Sequence, residues 1–404
     1  MKANAERMKR RIDTIASFTS EEERITRLTF SQAWVDAIRY LKGEMEAMGM
    51  TVRMDSFGNV IGNFNPGHST EKPIGIGSHI DSVVNAGAYD GVAGIVVGLE
   101  LVNMMYDAGV TPKVPIEVLA TADEEGAICQ RGYFGGRYMT GNMTVDEYLS
   151  FRNIDGKNIT DLQEECGLFK DVEFGCDNGW AKGYYSRFYE VHVEQGGVLE
   201  AAGKDIGIVK GVVGIGRLFI DFFGESDHAG PTVMSVRKDA MVAAADFIMK
   251  AWEVGQANSG KAVTTVGRIQ NSPNIHNVIS GKTSIVLDFR SEEDALADEI
   301  KETMKQYAYS MKEKYGVGVE ITQEIYTPVK LFAEPLVQEL RDLHMENSME
   351  LYSWAGHDAK AYSEIVDTCM VFMPSIGGKS HCPEEYTDIK SFEQVCNQII
   401  KLFV

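Results

Sequence analysis

The feature that most constrains this 404-residue chain is a pair of short apolar runs joined by one long apolar helix pattern. "PIGIGSH" (73–79) and "VPIEVLATA" (114–122) have the length and composition of strands buried on both faces, and "GVAGIVVGLELVNMMYDAG" (91–109) lies between them with the length of a helix. Strand, crossover helix and second strand make a βαβ unit, which predicts a mainly parallel central sheet flanked by helices, an α/β fold. In such sheets ligands bind beyond the carboxyl ends of the strands. Upstream, Trp34, Ile38, Leu41, Met45 and Met48 recur at helical spacing, and "TVRMDSFGNVIGNF" (51–64) alternates like two strands about a turn at Gly58.

From about Val212 to Ile325 the order changes to strand, helix, two strands, helix and strand. That order predicts a compact α+β unit of the split-βαβ, ferredoxin-like sort. The expected organisation is one domain made of residues 1–211 and 326–404, with a second domain, 212–325, inserted into it.

Charge narrows the function classes. Against 39 basic residues stand 59 acidic ones, a formal net charge of −20, which argues against nucleic acid or an anionic membrane as the main partner. No apolar run reaches the ~18–20 residues of a membrane span, and "MKANAERMKRRIDTIASF" has no signal-peptide core, so a cytoplasmic location is expected. The six cysteines (129, 166, 176, 369, 382 and 396) form no CxxC pair and read as reduced thiols.

The strand ends carry the chemistry. In "SHID", His79 and Asp81 stand two residues apart and can face one pocket just past the strand. Asp90 in "YDG" sits where the next helix begins, where the helix dipole favours a carboxylate, and taken alone it also reads as a helix N-cap. "ATADEEGA" places Asp123, Glu124 and Glu125 at the same sheet edge, and three adjacent carboxylates need water, a cation or a shared proton. "EVHVEQGG" repeats the two-residue spacing with His192 and Glu194, and "PSIGGKSHCPEE" puts His381 in a glycine-rich loop. A lone histidine at a strand end is usually a hydrogen-bonded structural residue. Four strand ends supplying histidines and carboxylates to one edge point instead to divalent metal. Imidazole and carboxylate without thiolate suit zinc, with manganese or cobalt as substitutes. Two ions need a bridging carboxylate, for which Asp90 is best placed, and Glu124 is free to act as a base if Glu125 is a ligand.

"GSHIDSV", "YDGVAGI", "DEEGA", "HVEQGGVLE", "SDHAGPT", "NVISGK", "GHDA" and "SHCPEEYT", in this order from 77 to 388, resemble the metal-dependent amidohydrolases that include N-carbamoyl-L-amino-acid hydrolase, allantoate amidohydrolase and β-ureidopropionase, within the dinuclear-zinc peptidases and deacylases. The resemblance implies a zinc-peptidase-like catalytic domain and an inserted domain that serves as lid and dimerisation module. It implies two divalent ions per subunit held by His79, Asp90, Glu125, His192 and His381, with Asp90 bridging, Glu124 as general base and Asp81 orienting His79. It also implies that His228 polarises the scissile carbonyl, reaching the other subunit's site in a homodimer, and that Gln195, Asn277 and Arg290 hold the substrate. The reaction implied is hydrolysis of a ureido C–N bond in a small ureido acid, with release of ammonia and carbon dioxide. Ala86, Val233, Ile128 and Cys129 depart from the usual pattern and bear on the substrate, not on the metal site.

Three competing readings differ in class. A peptidase or N-acyl-amino-acid deacylase would share the chemistry, but "HVEQG" and the Gln195, Asn277 and Arg290 set count against it. A non-catalytic binding protein would be expected to have lost Glu124 or a ligand. A storage or structural metalloprotein has no use for an unliganded glutamate beside the site.

Overall fold

The computed structural model describes residues 1–20, 24–128, 131–153, 155–170, 172–345 and 347–404. Cys129 lies outside the described residues. The five remaining cysteines are free thiols. The chain divides into two compact units, Met1–Gly211 with Leu331–Val404, and Val212–Lys330. The break expected after residue 325 falls inside the strand Gly318–Thr327, so the division comes five residues later than the sequence pattern placed it.

The first unit is built on a nine-stranded sheet. Its strands run in the spatial order Thr51–Met54, Val60–Phe64, Ile116–Thr121, Ile74–His79, Arg187–Val193, Thr368–Met373, Ile206–Val212 and Lys330–Leu331, with Ser348–Ser353 also pairing with Ile206–Val212. The four central strands are parallel, and the pairs flanking them are antiparallel. Every residue of Ile74–His79, Ile116–Thr121 and Thr368–Met373 is buried, as expected for strands covered on both faces. The crossover helix Val92–Ala108 is buried without a break from Val92 to Met105. That explains why it is apolar all round and lacks the one-sided stripe of a surface helix. By contrast, Gln32–Ala47 is capped by Ser31, which accepts the Trp34 N–H at 3.3 Å, and buries one face through Trp34, Ile38, Leu41 and Met45. No helix among the described residues is long and apolar enough to cross a membrane.

The second unit is a four-stranded antiparallel sheet in the order Gly318–Thr327, Gly214–Phe223, Lys282–Ser291, Ala262–Ser272. The helices Ala240–Ala257 and Asp294–Tyr315 complete the β-α-β-β-α-β order. Its core is built on Leu218, Phe222, Phe247, Leu287, Phe289 and Met304, all fully buried, and no charged side chain among this unit's described residues is buried.

Candidate metal centre

Parallel register brings the carboxyl ends of the central strands to one edge. His79 ends its strand opposite Thr121, two residues before Asp123, and His192 is the penultimate residue of Arg187–Val193. Asp90 follows a loop that turns at Gly91 (φ 65°), where a Cβ would lie 2.5 Å from the His79 ring. Glycine is therefore required for the helix start to come this close to the imidazole. Gly91 itself is the N-cap of that helix, and it caps without a side-chain bond. The carboxylate of Asp90 thus does not cap the helix; it points at three imidazoles.

Two groups of side chains share that carboxylate. Oδ1 of Asp90 lies 3.2 Å from His79 Nε2 and 3.1 Å from His192 Nε2. Oδ2 lies 3.2 Å from His381 Nε2, which is itself 3.2 Å from Glu125 Oε1. His79, Asp90 and His192 form one cluster of ligand atoms, and Asp90, Glu125 and His381 a second. The third such group, Glu190 with His192 and His357, is satisfied internally. Glu190 accepts from Ser78 Oγ (2.7 Å) and the Ala359 N–H (2.6 Å), and His357 Nε2 pairs with Ser353 Oγ at 2.8 Å. It forms a hydrogen-bonded floor under His192, whose ring centroid is 4.6 Å from that of His357.

Hydrogen bonding decides which nitrogens face the centre. Nδ1 of His79 lies 3.1 Å from the Asp81 carbonyl oxygen and Nδ1 of His192 lies 2.8 Å from that of Val193, so each Nδ1 carries the proton and each Nε2 presents a lone pair. The Gly91 N–H donates to His192 Nε2 at 3.2 Å, in keeping with that tautomer. The two Nε2 atoms are 3.4 Å apart, and the buried Asp90 Oδ1 between them has no hydrogen-bond donor among the described residues. Lone pairs converging on an orphaned carboxylate oxygen repel one another unless a cation lies among them, so the residues fit a divalent metal. Orientation of His79 differs in one detail from expectation. The main-chain carbonyl of Asp81 holds Nδ1, while the Asp81 carboxylate stands 3.8 Å away and accepts the N–H groups of Glu124 and Glu125, each at 3.2 Å. Asp81 thereby fixes both the histidine and the two-glutamate turn.

The electrostatics lean the same way. Burial disfavours a charged His79, yet Asp90, Glu124 and Asp81 outweigh it and hold its pKa well above the usual value, so in the metal-free chain a proton on Nε2 takes the place that a cation on the neutral tautomer would take. Burial also pushes Glu124 well above the carboxylate range, helped by Glu125, Asp358 and Asp81 and opposed by His79. A cluster that pulls protons onto itself in this manner is one that attracts positive charge.

Other residues named from the sequence fall in different places. Gln195, held at φ 62°, donates from Nε2 to Asp90 Oδ2 at 2.7 Å and leaves its buried Oε1 without a partner among the described residues. His228, Asn277 and Arg290 all belong to the second unit. There His228 pairs with Val278 across an isolated bridge, and the Ala229 N–H donates to the Asn277 carbonyl at 2.9 Å, which puts the two side by side. Exposed His228 accepts the Gly230 N–H at Nδ1 (3.0 Å), which leaves its proton on Nε2. Arg290 is the penultimate residue of the strand Lys282–Ser291 and donates from Nε to Asp288 at 3.0 Å. Residues not singled out from the sequence include Glu385, Ser380, Glu190, His357 and Asp358 around the centre, and Arg27, whose buried guanidinium donates to the Ile80 carbonyl at 2.7 Å. "GHDA" and the acidic pair of "SHCPEE" were the available signals. Arg27, in "RITRLTF", had none.

The sequence profile of peptidase family M20/M25/M40 matches residues 75–403. The N-carbamoyl-L-amino-acid amidohydrolase of Paenarthrobacter aurescens is 32% identical over 99% of this chain and 98% of its own length. The allantoate amidohydrolase of Bacillus subtilis is 30% identical over 95% and 93%. Among solved structures, an amidase of the hydantoinase/carbamoylase family from Burkholderia multivorans superposes with a TM-score of 0.89 at 27% identity, covering 99% of this chain and 97% of its own.

Proposed function

This chain belongs to peptidase family M20/M25/M40 and is a metal-dependent hydrolase of non-peptide C–N bonds; within that class we propose that it cleaves the ureido or carbamoyl group of a small carboxylic acid, an N-carbamoyl-L-amino acid or allantoate. The observation that carries the reading is that one buried carboxylate, Asp90, turns one oxygen to each of two ligand groups while Glu124 stands beside them, its Oε2 3.9 Å from His79 Nε2. His79 and His192 would hold one ion, Glu125 and His381 a second, and Asp90 both; zinc suits the donors, with manganese or cobalt as substitutes. A divalent ion held there supplies Lewis acidity, acidifying water and polarising a carbonyl.

The protein's own residues would do the rest. Glu124 takes the proton of the attacking water and returns it to the leaving nitrogen. The Nε2–H of His228 donates to the oxyanion. Gln195 accepts a ureido N–H at its unpartnered Oε1, Asn277 adds a polar contact, and the Arg290 guanidinium receives the substrate carboxylate. The carbamate released decomposes to carbon dioxide and ammonia.

We also propose that the second unit forms a homodimer and acts as a lid. Met241, Ala245, Met249 and Trp252 make an exposed stripe on the helix Ala240–Ala257, Trp252 being 62% exposed, and such a stripe calls for a covering surface. Sedimentation of the wild-type chain as a dimer, shifted toward monomer in Trp252→Ser, is the expected result; an unshifted monomer in both removes this part of the reading.

Ammonia release from allantoate, N-carbamoyl-L-methionine, N-carbamoyl-β-alanine and ureidoglycolate, with a dipeptide assayed for free amino acid, tests the activity. Turnover of a ureido acid that disappears in Glu124→Gln is the expected result. Cleavage of the dipeptide alone would transfer the chain to the peptidase class.

A further inference from the structure

The carboxylate of Glu385 ties together the two loops that carry Asp90 and His381. It is buried, 5% exposed. Its Oε1 accepts the main-chain N–H groups of Tyr89 (2.8 Å) and Asp90 (3.0 Å), and its Oε2 accepts from Ser380 Oγ at 2.8 Å. Ser380 immediately precedes His381, and its Oγ also stands 2.9 Å from Asp90 Oδ2. One side chain therefore clasps two segments, at Asp90 and at Ser380, that are 290 residues apart in the chain. Gly87 makes the clasp sterically feasible, since a Cβ there would lie 2.3 Å from the Glu385 Cβ.

We infer that Glu385 is a positioning residue for the second metal ion: it holds the Asp90 backbone and the Ser380–His381 loop in the one register at which Asp90 Oδ2, Glu125 and His381 converge. The inference rests on the two-ion reading above. The two clusters differ in how they are held. His79 and His192 stand on central strands and keep their places through the sheet. His381 lies outside any strand, 46% exposed and at φ 56°, so its position depends on the contacts of its loop. Loss of the clasp should therefore loosen the second ion more than the first, which shares only Asp90 with it.

The test is titration of the metal-free chain with Co²⁺, followed by calorimetry and visible absorption, so that uptake is read without turnover. In Glu385→Ala the second equivalent should bind about 10–100-fold more weakly, as for other groups that orient ligands, and the first should weaken clearly less. Glu385→Gln, whose amide oxygen still accepts both N–H groups and whose NH₂ can donate to Ser380, should restore the second equivalent to within about threefold. Should the alanine variant not fold, Ser380→Ala removes only the hydroxyl half of the clasp and should weaken the second equivalent in the same direction. Two equivalents bound as tightly by the alanine variants as by wild type would overturn the inference, as would equal loss of both. A wild-type chain that takes up one ion would overturn the two-ion reading as well, which separates that failure from one confined to Glu385.

Discussion

The centre of the first unit and the centre of the second are built on opposite terms. Where the four parallel strands end, His79, Asp81, Asp90, Glu124 and His192 are all buried, and an oxygen of Asp90 has no donor among the described residues. The core of the second unit contains no charged side chain, and its charges sit in outlying pairs such as Lys314 with Asp246 (2.5 Å) and Arg217 with Asp288 (3.2 Å). Burying charge is costly, and the second unit buries no charged side chain among its described residues, whereas the first buries several and gathers them most densely where its parallel strands end. At that edge a bound cation would offset the cost.

The sharpest way to break this comparison is at Glu124. Glu124→Gln should lower turnover about 10²–10⁴-fold, the usual contribution of a general acid–base, while metal content stays at the wild-type level. Metal lost together with activity would make Glu124 a ligand. Next in size, Phe247→Ala in the apolar core should destabilise the second unit by about 3–5 kcal/mol. Metal uptake should not follow, and a parallel loss of uptake in a combined calorimetric and metal-binding experiment would show that the two centres are not energetically separate.

A smaller effect is expected at Arg290. Its replacement by Ala should raise KM for a carboxylated substrate by about 10–100-fold, the worth of a charge-assisted hydrogen bond, with metal content unaltered. Unchanged kinetics would remove Arg290 from substrate binding. The mildest probe is pH. Asp90 and Glu125 push His381 up to about 10, so near neutrality the metal-free chain holds a proton there that a cation must displace. Metal affinity should consequently rise with pH toward that value and weaken as pH falls, by about one decade per pH unit for each proton released. A flat profile in pH-dependent calorimetry would mean that the imidazole is already free.

Much of this was legible in the residues. The mostly apolar helix pattern 91–109 between two short apolar runs pointed to a crossover between buried parallel strands, an arrangement that covers every face of such a helix. His79 and His192 could be placed because strand periodicity assigns a side to each residue. His381 could be named but not located, since a glycine-rich loop has no period from which to read direction. The Asp81 carbonyl that holds His79, the clasp of Glu385 and the guanidinium of Arg27 under Ile80 were not legible at all. Each joins segments far apart in the chain or uses a main-chain atom, and neither kind of contact leaves a mark on residue identity.

Sequence by itself determined the two-unit α/β and α+β pattern and the chemical types of the centre, because hydrophobic period and ligand chemistry are properties of residues taken in order. Only the tertiary structure decided that Asp90 turns one oxygen to each group, that its carboxylate does not cap the helix, and that the second unit runs on to Lys330. Those are matters of direction and distance, set by parallel register and by a glycine beneath an imidazole, and they exist only once separate strands are brought to a common edge.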